Sequence, residues 1–139
     1  PYTSILQDQS PYSSVVAQAA VDTANRLDIE TIVAFTESGT TARLLSKHRP
    51  RADVYAFTPH ESTYRLMTLF GCITPLKSPP HESTDDMLTF AESYMIEHGI
   101  VETGDTTVMV AGIPPNVRES TNLMKVHRVG GATGGAPLH

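Results

Sequence analysis

The chain has 139 residues, of which 40% are hydrophobic and 18% charged, and its formal net charge is −5. This length suits one domain with a single core. The acidic balance argues against a dedicated nucleic-acid binder, which would present a basic face. No apolar run approaches the roughly 20 residues that span a bilayer. We therefore expect neither nucleic acid nor a membrane as a partner.

The only cysteine, Cys72, excludes an internal disulfide and lies in an apolar run, which predicts a buried thiol. This cysteine usage fits a reducing cytoplasm, where we expect the protein to reside. Because Pro1 is not an initiator methionine, we expect a fragment or a processed product. Residues 1–9 lack clear periodicity and are interpreted as a lead-in to a domain over residues 10–129, with a flexible, Gly-rich tail over residues 130–139.

Ser10 followed by Pro11 predicts the start of the first helix. Apolar residues at helical spacing predict its buried face, namely Val15, Val16, Ala19, Ala20, Ala24 and Leu27. A second helix follows the loop at residues 36–41 and ends before Arg49, because proline at the next position disfavours helix.

The third helix is predicted from a capping box at Thr58, Pro59 and Glu61, and it should end at Gly71. The fourth helix begins at Ser83 and extends to about residue 98. The words Pro-His-Glu-Ser-Thr occur twice, at 59–63 and 80–84, and we interpret them as two similar helix starts.

Short apolar runs between these helices predict five strands, at residues 32–35, 54–57, 73–76, 107–113 and 122–129. Helices that alternate with buried strands predict a three-layer α/β/α sandwich whose mixed, mostly parallel sheet has five strands. The loop at residues 114–120 is too short for a helical crossover, so the last strand should be antiparallel.

A strand–loop–helix segment carries the clearest functional signal. The hydroxyl-rich loop 36–41 opens directly into the second helix, whose free N–H groups and dipole favour an anion. Ser38, Thr40 and Thr41 can add hydroxyl donors, and Gly39 would let the backbone approach a phosphate group. The alternative is an ordinary N-cap that binds nothing.

Other chemistries find less support. The loop lacks the Gly-Lys-Ser/Thr ending of a Walker A motif and the three glycines of a dinucleotide fingerprint. The six histidines show no metal-ligand spacing, so we expect no metal or cofactor in this chain. No nucleophile, base and orienting group can be assembled, so no catalytic residue is predicted.

Three loops should meet at the carboxyl edge of the sheet, where open α/β sheets bind ligands. They comprise residues 36–41, 77–83 and 114–120. Lys77 and Arg118 lie in these loops and are possible helpers for a bound phosphate, although a solvated surface position is the default for each.

The chain resembles the C-terminal domain of pyruvate kinase over about residues 15–129. The resemblance is carried, in order, by Thr-Glu-Ser-Gly-Thr-Thr-Ala-Arg at 36–43, Ser-Lys-His-Arg-Pro at 46–50, the strand at 54–58, Thr-Asp-Asp-Met at 84–87, Gly-Asp at 104–105 and Ser-Thr-Asn-Leu-Met-Lys-Val-His at 120–127. It implies an allosteric and tetramer-forming domain that follows a catalytic barrel. Phosphoenolpyruvate, ADP, Mg²⁺ and K⁺ would belong to that barrel, which this chain lacks.

The resemblance also implies an effector phosphate site at Thr36, Glu37, Ser38, Gly39, Thr40 and Thr41. The chain departs from the fructose 1,6-bisphosphate pattern, since Glu37 is an acid, tryptophan is absent, and Phe90 aligns near the arginine that often grips the second phosphate. The loop at 114–120 is also not Gly-rich. A sugar monophosphate or AMP is therefore favoured as effector over the bisphosphate.

Two other functions stay open at this level. The chain could be a free-standing protein of the same fold that binds a phosphorylated metabolite. It could also be a purely structural oligomerisation domain whose loop is never occupied.

Overall fold

The computed structural model describes residues 11–112 and 122–131, and within them four helices alternate with five strands. The helices are α1 (Pro11–Arg26), α2 (Thr40–Lys47), α3 (Glu61–Met67) and α4 (Thr84–Glu97). The strands are β1 (Thr31–Phe35), β2 (Asp53–Thr58), β3 (Ile73–Lys77), β4 (Thr106–Ala111) and β5 (Leu123–Arg128). All five predicted strands are confirmed to within two residues at each end.

The strands form one sheet in the order β3-β2-β1-β4-β5. Neighbouring strands run parallel from β3 to β4, and β5 pairs antiparallel with β4. The predicted antiparallel last strand is therefore confirmed. Because the chain leaves β1 toward β2 on one side and returns to β4 on the other, the carboxyl end of β1 is a topological switch point, where open α/β sheets hold their ligands.

The sheet is covered on both faces, as the fully buried strand β1 requires. On one face, alternate strand residues such as Ile32 and Val54 pack with apolar side chains of α1, α2 and α3. On the other face, the intervening residues Val33, Phe57 and Met109 pack with α4. The predicted three-layer α/β/α sandwich is therefore confirmed, with three helices on one side and one on the other in the described part of the chain.

The buried face of α1 was only partly predicted. Ala20 and Ala24 are fully buried as expected, but Val15 is 65% exposed and Leu27 is 58% exposed. The helix instead buries a row of small residues, Ser13, Ala17, Ala20, Val21 and Ala24. Alanine side chains let the helix backbone lie close to its neighbours, so the larger valine and leucine are left on the solvent side.

The segment around α3 differs from the sequence-based prediction in three respects. The helix begins at Glu61 after His60, and Thr58 Oγ1 accepts a hydrogen bond from the N–H of His60 at 3.3 Å, so the predicted capping box is wrong. The helix ends at Met67 instead of reaching Gly71. Cys72 is exposed at a φ of 70°, so the predicted buried thiol is also wrong, because the turn into β3 directs that residue outward.

The start of α4 agrees with the sequence pattern. Ser83 is the N-cap, and its hydroxyl accepts a hydrogen bond from the N–H of Asp86 at 3.0 Å. The helix buries Met87, Ala91 and Met95 against the sheet. The proposed lead-in at 1–9, the loop at 114–120 and all but two residues of the proposed tail lie outside the described residues.

Candidate functional site: a cleft at the carboxyl edge of the sheet

A cleft of about 520 Å³, including the space open to solvent, lies where the four parallel strands end. The segments after β1, β2, β3 and β4 all contribute to it. Its lining in the described part of the chain comprises Phe35, Thr36, Glu37, Ser38, Thr40, Thr41, Phe57, Pro59, Ser78, Pro80, His81, Met87 and Gly112. Two of the three predicted loops therefore meet here, and the third, at 114–120, falls outside the described residues.

The loop at 36–41 is held by one hydrogen bond to strand β2 and one to its own Thr36 side chain. The N–H of Thr36 donates to the carbonyl of Phe57 at 3.0 Å, and Thr36 Oγ1 accepts from the N–H of Gly39 at 2.8 Å. Gly39 adopts a left-handed conformation, with φ of 92°, and the first turn of α2 follows it directly. These bonds set the direction in which α2 begins.

The surroundings of Gly39 show why this position is a glycine. It is buried and is not among the residues that line the cleft. A Cβ added to it would meet side chains of α3, with Leu66 Cδ2 at 3.5 Å and Thr63 Cγ2 at 3.6 Å. Glycine is therefore favoured here by its positive φ, which other residues adopt at a cost, and its close approach to a phosphate stays a prediction.

The three predicted hydroxyl donors do line the cleft together at the start of α2. The hydroxyl oxygens of Ser38 and Thr40 lie 3.0 Å apart and share a hydrogen bond, and Thr41 is buried beside them. The N–H groups in the first turn of a helix have no acceptor within the helix, and its dipole places partial positive charge there. The Ser38 and Thr40 hydroxyls and the positive end of the α2 dipole can therefore face a small anion, while the N–H of Thr40 donates to Ser38 Oγ at 3.4 Å.

Glu37 lies in the same loop but its carboxylate is bound to a histidine. Glu37 Oε1 lies 2.6 Å from Nε2 of His60, the residue that precedes α3. The carbonyl of Glu37 also accepts a hydrogen bond from Thr63 Oγ1 at 2.8 Å. The acid is thus tied to α3 through both its side chain and its backbone.

Of the two predicted cationic helpers, the structure describes only Lys77, and it does not line the cleft. Lys77 Nζ pairs with Glu61 Oε1 at 2.7 Å, and Lys77 is not among the lining residues. Arg118 lies outside the described residues. Among the described residues that line the cleft there is neither lysine nor arginine, so the role of these two side chains stays a prediction.

Sequence reasoning missed two histidines at this edge. His60 binds Glu37, and His81 is buried in the wall of the cleft, against Phe35 and Phe90 at ring-centroid distances of 6.1 and 5.2 Å. Both histidines belong to the two copies of the Pro-His-Glu-Ser-Thr sequence. These two copies therefore lie at the cleft as well as at two helix starts. Phe90 packs on this aromatic wall, with ring-centroid distances of 5.6 Å to Phe57 and 5.2 Å to His81.

Burial lowers the pKa of His81, and the nearby carboxylates of Asp86 and Glu37 oppose that shift only in part. The folded chain therefore favours the neutral imidazole, while the unfolded chain takes up the proton near pH 6.5. The contribution of His81 to the free energy of unfolding should be present above about pH 6.5. It should be lost as the pH falls through the lowered pKa of the folded state.

We expect His81→Gln to remove this part of the pH dependence. The free energy of unfolding of the parent, measured in urea between pH 7.5 and 5, should fall more steeply toward low pH than that of the variant. His98→Gln, at the exposed histidine that follows α4, is the control for the loss of a histidine elsewhere. Equal slopes for the parent and His81→Gln would contradict the expectation.

Within the described residues no group of three or more histidine, cysteine, aspartate or glutamate side chains is placed to hold a metal ion. None of the described helices combines the length and apolar character needed to cross a membrane.

The comparisons with known proteins agree on one family. The family model described as "Pyruvate kinase, alpha/beta domain" matches residues 14–127. The pyruvate kinase of Lactococcus lactis subsp. lactis is 45% identical over 123 residues, which cover 88% of this chain and 24% of that protein. The pyruvate kinase of Staphylococcus epidermidis is 38% identical over 117 residues, which cover 84% of this chain and 20% of that protein.

A solved structure shows the same architecture. The crystal structure of a pyruvate kinase from Cryptosporidium parvum superposes with a TM-score of 0.74 at 27% identity, over 86% of this chain and 23% of that one. The chain thus forms an open α/β domain with a loop cleft at the switch point of its sheet. It belongs to the pyruvate kinase alpha/beta domain family, and it spans about a quarter or less of the length of these relatives.

Proposed function

We propose that this chain is the regulatory and subunit-assembly domain of a cytoplasmic pyruvate kinase, and that its cleft binds a phosphorylated small molecule. The whole enzyme would transfer phosphate from phosphoenolpyruvate to ADP, giving pyruvate and ATP in glycolysis. The catalytic barrel, with its Mg²⁺ and K⁺, would lie in the remainder of the protein. This chain alone should show no phosphotransfer, and the complete enzyme should be a homotetramer.

The convergence of Ser38, Thr40 and Thr41 at the start of α2 is the observation that carries the effector site. Hydrogen bonds to a charged partner contribute roughly 1.5–3 kcal/mol each, so two or three of them contribute about 3–9 kcal/mol before the costs of association, and contacts with the rest of the ligand must supply the remaining affinity. The helix start adds a partial positive charge without any lysine or arginine.

The same lining favours one phosphate group over two. A second phosphate would need its own cation, and Lys77 is already paired with Glu61. A sugar monophosphate or AMP therefore suits the described part of the cleft better than fructose 1,6-bisphosphate.

The absence of lysine and arginine from the described lining also favours a second candidate function, an assembly domain whose cleft binds no effector.

Ser38→Ala tests the effector site. The parent chain and the full-length enzyme are titrated by calorimetry with glucose 6-phosphate, ribose 5-phosphate, AMP, fructose 1,6-bisphosphate and inorganic phosphate. We expect saturable binding of a monophosphate that Ser38→Ala weakens by about 10- to 100-fold, since one charge-assisted hydrogen bond is lost.

Ser93→Ala is the matched control, because Ser93 is an exposed serine on α4 outside the cleft, and it should bind like the parent. If neither the parent chain nor the full-length enzyme binds any ligand of the panel, the second candidate function, an assembly domain, is favoured. Pyruvate formation by this chain alone, from phosphoenolpyruvate and ADP, would contradict its assignment as a non-catalytic domain.

A further inference from the structure

An anion-binding loop that contains an acid needs a device to compensate the negative charge. Glu37 stands between Thr36 and Ser38, two residues that line the cleft, and it lines the cleft itself. Its side chain is 21% exposed, so water screens its charge only in part. A bound phosphate would therefore be repelled by this carboxylate unless a cation lies beside it.

His60 is the group that lies beside it, with Nε2 2.6 Å from Glu37 Oε1. The histidine is positioned from α3, whose Thr63 also anchors the Glu37 carbonyl. The other charged groups nearby are engaged elsewhere or lie across the cleft. Glu61 pairs with Lys77 at 2.7 Å and with Arg65 at 3.2 Å, while His81 faces Asp86 and Glu37 from the opposite wall.

We propose that the Glu37–His60 pair regulates the affinity of the cleft for a phosphate monoester, by coupling protonation of His60 to binding. When His60 carries a proton, the pair is neutral and the loop accepts the anion. When His60 is neutral, the charge of Glu37 is uncompensated and the loop disfavours the anion. This inference rests on the proposed effector function and names the regulation of the same cleft.

A double-mutant cycle tests the coupling, with glucose 6-phosphate, AMP and inorganic phosphate as probes in calorimetric titrations of the full chain. At pH 6, His60→Ala should weaken binding on the order of tenfold, because it leaves Glu37 uncompensated. Glu37→Gln should bind at least as tightly as the parent. In the Glu37→Gln background, His60→Ala should then have little effect.

The pH profile gives a readout that a merely structural pair would not show. The affinity of the parent relative to His60→Ala should fall from pH 6 to pH 8, because only the parent has a histidine whose proton can be lost beside Glu37. Taking the ratio at each pH cancels the titration of the phosphate itself. His98→Ala is the control for loss of a histidine elsewhere, and circular dichroism verifies that every variant is folded.

Each outcome decides a separate point. If the parent binds and the two substitutions are additive with a flat pH ratio, the coupling is overturned while the effector site stands. If Glu37→Gln binds a probe that the parent does not, repulsion of the anion by Glu37 is supported. The effector function of the natural chain is then overturned. If no variant binds any probe, both are overturned.

Discussion

Phe57→Ala should lower the free energy of unfolding by about 3–5 kcal/mol, the range typical of a large aromatic side chain removed from a core. Phe57 is 1% exposed and lies at the end of β2. Its ring stacks on Phe35 at 5.6 Å and meets Phe90 and Tyr94 edge to face at 5.6 and 5.3 Å. Truncation would leave a cavity among one ring of β1 and two rings of α4, which can collapse only in part.

Urea denaturation of the parent and variant at pH 7.5 measures this loss. Phe57→Leu keeps much of the volume and should cost less than the alanine variant. Leu69→Ala, at a side chain that is 79% exposed, should change stability by less than about 0.5 kcal/mol. A loss below 1.5 kcal/mol for Phe57→Ala, at the edge of what a conservative core exchange costs, would contradict the packing described here.

Gly39→Ala should affect both stability and binding. A residue with a Cβ pays roughly 1–2 kcal/mol in the left-handed conformation. The space around the added Cβ is sufficient, with its nearest contact at 3.5 Å, so this cost comes from the backbone and not from a clash. Because Gly39 precedes the first turn of α2, relief of the strain would also shift the hydroxyls that line the cleft.

The measurements are urea denaturation and titration with the monophosphate that the parent binds. Gly71→Ala is the matched control, because a Cβ there meets nothing within 4 Å and Gly71 is not among the glycines with positive φ. That variant should be neutral or slightly stabilised, as restricting the unfolded chain favours the folded state. Equal stability of the two alanine variants would mean that Gly39 carries no conformational constraint.

The strands and the layer order could be predicted from sequence because a strand buried on both faces consists almost entirely of apolar residues. The runs at 32–35 and 107–113 contain almost only apolar residues, which strands in the middle of a covered sheet require. Ser83 and Asp86 marked the start of α4 correctly because a capping bond joins residues three apart in sequence.

Local patterns were less informative where two elements compete for the same residues. Alanines of α1 fit several helical faces, and packing alone decided that Ala17 is buried while Val15 is exposed. The capping pattern at Thr58 to Glu61 was a plausible helix start. In the fold, Thr58 continues strand β2, so the helix begins two residues after Pro59.

For the candidate site, the sequence by itself determined that the loop 36–41 lies between a buried strand and a helix, and that its hydroxyl residues lie together at the helix start. Only the tertiary structure decided the surroundings of that loop. The partnership of Glu37 with His60 joins residues 23 positions apart, and Lys77 is taken up by Glu61, 16 positions away. Such pairs depend on the distance between folded elements, because parallel strands bring their carboxyl ends together whatever the length of chain between them.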